Sequence, residues 1–244
     1  MTAAMILAAG KGTRMGELSV RLPKPLVPVL GRTLLDRALD RLDAISAAPV
    51  VVNVHHLADQ MEAHLGPRMA SGSVVISDER DALLETGGGV KKALPLLGRA
   101  PFLVINSDAL WLDAPGEETA LTTLAAAFDP ARMDALLLLV ETGAALGYEG
   151  TGDFFAGGDP ATPALLRFRG EAPSSPFMYG GIMITSPAAY EGTPDGAWSN
   201  SQMFRRAAGN GRLFGLLHRG DWMHVGSPEG VRDAEARLTA LGRG

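Results

Sequence analysis

Met5-Ile6-Leu7-Ala8-Ala9-Gly10-Lys11-Gly12-Thr13-Arg14-Met15 begins as an apolar strand and breaks into a glycine-rich turn, and Pro23-Lys24-Pro25-Leu26 follows shortly after. A glycine turn leaving a buried strand exposes backbone N–H groups with no side chains in the way. Such a turn is a preformed concave anion site. Arg14 and Lys24 add two mobile cations to the same neighbourhood, so a phosphate-rich ligand is the natural occupant.

Outward from this strand the chain alternates between strand and helix. Short apolar runs predict buried strands at Met5–Ala9, Val50–Val54, Val74–Ser77, Phe102–Asn106 and Ala135–Val140. Leu34, Leu35, Ala38, Leu39, Leu42 and Ile45 recur at helical spacing between the first two. Further helices are predicted at Leu57–Leu65, Gly89–Leu97 and Glu118–Phe128, with Pro95 shortening or bending the end of the second. This alternation predicts an α/β fold, a Rossmann-like doubly wound and mostly parallel sheet. The second half is less regular, with strands at Ala164–Phe168, Met178–Ile184, Leu213–Leu217 and Trp222–Val225 and a last helix at Glu229–Leu241. Gly143–Pro163 is the most loop-like stretch.

The 244 residues fit one α/β domain with a large core, and no apolar run reaches membrane-spanning length. There is no cysteine, which excludes disulfides and thiolate metal sites and is compatible with a reducing cytoplasm. A net charge of -5 argues against a nucleic-acid partner held by a basic surface, so phosphates must be gripped locally. No membrane partner is expected.

Two commoner glycine motifs do not fit. The dinucleotide fingerprint needs a third glycine where Met15 stands, and a P-loop needs four residues between its glycines where Gly10 and Gly12 have one. The order Gly10-Lys11-Gly12-Thr13-Arg14-Met15, then Pro23-Lys24-Pro25, resembles sugar-phosphate nucleotidyltransferases. That resemblance implies a single nucleotide-diphospho-sugar transferase domain over 1–244, with a nucleotide-binding part at 1–110 and a sugar-binding part at 111–244. It implies a nucleoside triphosphate and a sugar 1-phosphate as partners. The turn Ala8–Thr13, with Ala8, Gly10, Lys11, Gly12 and Thr13, would bind the nucleotide phosphates. Arg14, Lys24 and Asp108 would be catalytic.

Leu84-Glu85-Thr86-Gly87-Gly88-Gly89 opens a helix with three glycines, where bare backbone can lie against a flat ring. In the resembled family this loop holds the nucleobase, making Gly87 and Gly88 the base contacts. The Glu-Thr-Gly-Gly-Gly form is similar to bacterial N-acetylmuramate-1-phosphate uridylyltransferases of cell-wall recycling, which implies UTP. Phe102-Leu103-Val104-Ile105-Asn106-Ser107-Asp108 places a carboxylate at the end of a buried strand, where open α/β sheets bind ligands. Asp108 can hold Mg²⁺, and the resemblance implies the same; Asn106 would touch the nucleotide or sugar side.

Trp222-Met223-His224-Val225-Gly226-Ser227 resembles a late family motif, Trp-x-Asp-x-Gly-Thr, that supplies a second metal carboxylate; here His224 takes that place. Asp221 is on the opposite face of a strand from His224 and cannot replace it without a bulge. Either His224 completes an altered metal site that suits Mn²⁺ or Co²⁺, or Asp108 holds the ion with water and phosphate oxygens. His55, His56, His64 and His218 lack metal-ligand spacing and are read as packing or surface residues. For the sugar, Gly150-Thr151-Gly152-Asp153-Phe154 matches a Gly-Asp-Phe segment of the muramate-type enzymes, and Tyr179-Gly180-Gly181 would lie beneath the ring, giving Asp153, Tyr179 and Gly180 as contacts. No lysine follows Lys92, so Arg167 or Arg169 is expected to replace the sugar-phosphate lysine of relatives. Two alternatives stay open: a guanylyltransferase acting on mannose 1-phosphate, and an inactive nucleotide-sugar-binding regulatory subunit.

Overall fold

The computed structural model describes residues 2–243. The chain runs β1 (Ala3–Leu7), α1 (Leu18–Arg21), β2 (Pro28–Val29), β3 (Arg32–Thr33), α2 (Leu34–Ala44), β4 (Val50–Val54), α3 (Ala58–Ala70), β5 (Val74–Asp78), α4 (Glu85–Leu97) and β6 (Phe102–Asn106). It continues through β7 (Ala109–Leu112), α5 (Ala120–Ala127), β8 (Ala135–Glu141), β9 (Phe154–Ala156), β10 (Ala164–Phe168), β11 (Phe177–Thr185), α6 (Asn200–Gly209), β12 (Leu213–Leu217), β13 (Asp221–His224) and α7 (Pro228–Ala240).

Nine strands form one sheet in the order β5-β4-β1-β6-β11-β8-β12-β10-β9. The β5-β4-β1-β6 half is parallel, as right-handed β-α-β crossovers require. β11 enters antiparallel between β6 and β8, and β10 is reversed against both its neighbours, so the sheet is mixed. Both faces are covered. Ala4 and Ile6 of β1 join Leu103 and Ile105 of β6 in one apolar layer, while Ala3 and Met5 join Phe102 and Val104 in the other. This is why these strands are apolar throughout rather than alternating.

α2 shows how local signals agree with packing. The Thr33 side chain accepts from the Asp36 N–H as an N-cap, and Leu34, Leu35, Ala38, Leu39 and Leu42 form its buried stripe. Leu39 is fully buried, and its truncation to alanine would cost about 2–5 kcal/mol. A smaller cluster under α7 joins Leu110 of β7 to Met223 and Val225 at β13, holding this separate two-stranded ribbon in place.

Several boundaries differ from expectation. β1 ends at Leu7, so Ala8 and Ala9 belong to the turn. α4 starts at Glu85, before the glycines, and passes through Pro95 to Leu97. The stretch expected as loop carries β9, and α6 and β7 were not foreseen. No described helix is long and apolar enough to cross a membrane.

Candidate active site

β1 and β6 are in register, with Leu7 opposite Asn106, so the turn after one strand lies beside the acidic tip of the other. The Ser107 N–H donates to the Leu7 carbonyl at 3.2 Å and locks the two ends together. Gly12 has φ +62 and an added Cβ would lie 3.0 Å from Lys24 Cβ, so a glycine there lets the phosphate turn close onto the Pro-Lys-Pro segment. Ala8 and Gly10 line a cavity of about 340 Å³ together with Lys24, Asn53, Glu85, Thr86, Asn106, Asp108 and Ser199. Lys11, Thr13 and Arg14 are exposed on the continuing turn.

Asp108 is the centre of charge. Lys24 Nζ lies 2.6 Å and His224 Nε2 3.5 Å from its Oδ2. The β7–β13 ribbon makes this meeting: His224 pairs with Ala109, and the Val225 N–H donates to the Asp108 carbonyl. Burial alone would raise the Asp108 carboxyl; contact with His224 and the Lys24 charge outweigh it and hold it well below the usual carboxylate range. His224 Nδ1 is 3.4 Å from the Gly147 carbonyl, and Nε2 faces Asp108 Oδ2 at 3.5 Å and Arg14 Nη2 at 3.4 Å. Gly226 makes room for this ring, since a Cβ would stand 2.6 Å from His224 Nε2. The Trp222 and His224 rings stack, on one face of β13 as the strand period predicts, and Asp221 on the other pairs with Arg237 of α7 at 2.5 Å. Asp221 is thus no substitute ligand. A carboxylate oxygen and an imidazole nitrogen 3.5 Å apart can both reach one ion at ordinary lengths of about 2.1 Å, so the donor pair fits a divalent cation. The other histidines sit against structural partners: His55 against the Glu79 carbonyl, His56 against the Ser19 carbonyl, His64 beside Asp36 and His218 against the Asp221 carbonyl.

A buried polar chain joins the phosphate turn to the base loop. The Ala8 N–H donates to Asn53 Oδ1 at 2.7 Å, Asn53 Nδ2 donates to Glu79 Oε1 at 2.7 Å, and Glu79 Oε2 accepts from the Leu84 N–H at 3.1 Å. Neither Asn53 nor Glu79 was foreseen; the signal was a lone polar residue inside the apolar run Val50–Val54. The base-contact reading of Gly87 and Gly88 needs correction. Both are buried, and both N–H groups donate to the Trp198 carbonyl. A Cβ at Gly87 would meet the Trp198 ring at 2.3 Å and one at Gly88 the Gly196 carbonyl at 2.0 Å. These glycines let the segment before α6 dock behind the loop, and the residues facing the cavity are Leu83, Glu85 and Thr86. Glu85 holds φ +58, a strained conformation at the cavity wall.

A second cavity of about 330 Å³ lies on the other side of Asp108, lined by Arg14, Asn106, Tyr148, Tyr179, Gly181 and His224 among others. Asn106 and Asp108 line both cavities. Tyr179 is here as expected, but Gly180 is not: its carbonyl accepts from Trp222 Nε1 at 2.8 Å, and a bulge between Tyr179 and Met183 turns Gly181, at φ +76, to the cavity. Asp153 is outside the lining; its carboxylate accepts the Tyr179 N–H at 2.9 Å and positions that residue. Arg167 lies over the Phe155 ring and Arg169 bonds the Gly152 carbonyl, and neither lines this cavity. Arg14 is the cation that lines this cavity.

Residues 4–172 match the MobA-like NTP transferase domain. The chain is 47% identical over 238 residues to the N-acetylmuramate alpha-1-phosphate uridylyltransferase of Caulobacter vibrioides, covering 96% of each chain. It is 34% identical over 236 residues to the protein of the same name from Neisseria meningitidis serogroup B, again covering 96% of each. Among solved structures, HddC from Yersinia pseudotuberculosis complexed with GMP-PN superposes with a TM-score of 0.75 at 21% identity, covering 98% of this chain and 100% of that one. UDP-glucose pyrophosphorylase from Acinetobacter baumanii gives 0.77 at 16% identity, covering 98% and 93%. These structural likenesses establish the fold.

Proposed function

Because this chain belongs to the MobA-like NTP transferase domain family, we propose that it transfers uridylyl from UTP to N-acetylmuramic acid 1-phosphate and releases pyrophosphate. The reaction class follows from relatives that share nearly its whole length, and the substrate pair from their printed names. The observation that carries the reading is the pair of cavities meeting at Asn106 and Asp108, one walled by the phosphate turn and base loop, the other by Arg14, Tyr148 and Tyr179. Two anionic substrates entering from opposite sides would react at that shared wall.

In the reaction an oxygen of the sugar phosphate attacks the α-phosphorus in line; the new P–O bond forms as the α–β bond breaks, and pyrophosphate leaves. No protein nucleophile is needed. The work is to bring anions together and offset their charge. The backbone of Gly10–Thr13 holds the triphosphate tail and the departing pyrophosphate, and the Arg14 guanidinium, on the wall of the second cavity, faces the sugar phosphate. Lys24 supplies positive charge at the reacting phosphate. A divalent cation held by Asp108 and His224 would neutralise and orient the phosphates. Glu85 and Thr86 face the base, and Tyr179, positioned by Asp153, faces the sugar. The product fits a role in peptidoglycan recycling.

The test is pyrophosphate release from a panel of four nucleoside triphosphates crossed with several sugar 1-phosphates. UTP with N-acetylmuramic acid 1-phosphate should give the highest kcat/KM. A higher value for GTP with mannose 1-phosphate would overturn the substrate and keep the reaction class; nucleotide binding with no pyrophosphate from any pair would indicate a regulatory subunit.

A further inference from the structure

β5, β4 and β1 are neighbours in the sheet, and one line of buried hydrogen bonds crosses their carboxyl ends. Asn53, on the middle strand β4, uses both ends of its amide. Its Oδ1 accepts from the Ala8 N–H just after β1, and its Nδ2 donates to Glu79 Oε1 just after β5, each at 2.7 Å. Glu79 Oε2 accepts from the Leu84 N–H at 3.1 Å, and the Glu79 carbonyl accepts from the Ala82 N–H at 3.1 Å. The segment leading into the base loop therefore folds around this one residue. Asn53 is 2% and Glu79 1% exposed. The third glycine of the base loop makes room for the pair: a Cβ on Gly89 would stand 2.8 Å from Glu79 Oε1 and 3.0 Å from Asn53 Nδ2.

Replacing both partners of a buried hydrogen bond by apolar groups of the same shape is close to neutral for stability, and valines fill every other position of β4. What this line of bonds adds is direction. It fixes Ala8, at the start of the phosphate turn, relative to Leu84, which precedes the cavity residues Glu85 and Thr86. A nucleoside triphosphate that touches both loops loses affinity to any freedom between them, because ordering on binding costs free energy. We propose that Asn53 and Glu79 are positioning residues that hold the phosphate turn and the base loop at the spacing one nucleotide spans, a role that rests on the transfer reaction proposed above. They act through the backbone of Ala8 and Leu84, since their own polar atoms are bonded to those two residues and to each other. The order of donors is specific: in the middle bond Asn53 gives and Glu79 accepts.

That order supplies the test. Asn53→Asp sets acceptor against acceptor, and Glu79→Gln sets an amide N–H against either Asn53 Nδ2 or the Leu84 N–H. The double variant restores every bond with the middle donor reversed: the new carboxylate at 53 accepts from Ala8 and from the new amide at 79, whose oxygen accepts from Leu84. Calorimetric titration of the full chain with UTP, and separately with pyrophosphate, compares a ligand that touches both loops with one that touches the phosphate turn alone. Each single variant should bind UTP about tenfold or more weakly and pyrophosphate within about twofold of wild type, while the double variant recovers UTP affinity to within about threefold. Gly89→Ala, which wedges the pair apart although alanine favours a helix, should weaken UTP in the same way and keeps the test decisive if Glu79→Gln folds poorly. Equal losses for UTP and pyrophosphate would overturn the proposal, as would a lowered Tm with UTP affinity unchanged, a double variant no better than the worse single one, or a wild type that binds no nucleoside triphosphate. If wild type prefers another nucleoside triphosphate, that one takes the place of UTP, so a changed base overturns the substrate assignment and leaves the positioning roles in force.

Discussion

Lys24 donates to Asp108 across 2.6 Å in a partly buried setting, so replacing it has two separable effects. The ion pair is lost, which should lower stability by about 1.5–3 kcal/mol, the range for hydrogen bonds to charged groups. Positive charge is also lost where it is needed during transfer, and Lys24→Ala should reduce kcat by about a hundredfold or more while the protein stays folded by circular dichroism. Near wild-type turnover in the variant would remove Lys24 from the mechanism. His224 poses a different question, because imidazole nitrogen is a softer ligand than carboxylate oxygen. With Nε2 presented to Asp108, Mn²⁺ or Co²⁺ should support activity at least as well as Mg²⁺. His224→Asp should shift the preference towards Mg²⁺, and Asp108→Asn should abolish activity with every metal. An unchanged metal ranking in His224→Asp, with full activity in His224→Ala, would make His224 a bystander.

Among the elements, the β7–β13 ribbon brings His224 to Asp108, and the connection from β12 into it carries buried His218. Burial lowers the His218 pKa from 6.5, so above that value the folded and unfolded chains both hold a neutral ring. As the pH falls through 6.5 the unfolded chain takes up a proton more readily, and stability is lost towards the folded pKa. Melting curves measured over that range should therefore slope less steeply for His218→Leu than for wild type, and parallel curves would contradict this. How far the elements can be read from the chain depends on where their partners are. Val50–Val54 and Phe102–Asn106 are apolar on both faces because both are covered, and that pattern is local. α6 escapes notice because it opens with polar Asn200-Ser201-Gln202 and buries only Asn200, Met203, Phe204 and Ala207. Gly87 and Gly88 announce close approach, but what approaches is the Trp198 ring and the Gly196 carbonyl, more than a hundred residues away, and no local pattern names them. Arg14 and Lys24 stand out in the sequence because a glycine turn imposes fixed local spacing, and Asp108 because it follows a buried apolar strand. Asn53, Thr86 and Ser199 were not, because sheet register and tertiary docking bring them to the cavity.

At the scale of the molecule, the boundary expected between residues 110 and 111 does not coincide with a boundary in packing. β11, from the second half, pairs along β6 from Ile182 to Thr185 and separates it from β8. The Trp198 carbonyl accepts from Gly87 and Gly88 while its N–H donates to the Leu84 carbonyl, and Ser199 lines the cavity beside Ala8 and Lys24. A fragment of residues 1–110 would leave β6 with a bare edge, uncover Phe102 and Val104, and lose the wall behind the base loop. We therefore expect the full chain to unfold in one transition, with tryptophan fluorescence and far-ultraviolet circular dichroism coinciding along a denaturant series. The tryptophans report only from the second half, at 111, 198 and 222, while helices of both halves report by dichroism, so the two probes would separate if the halves melted independently. The isolated 1–110 fragment should show neither a cooperative transition nor UTP binding. Two resolved transitions in the full chain, or a fragment that binds UTP with wild-type affinity, would show that the phosphate turn and base loop assemble without the sugar side.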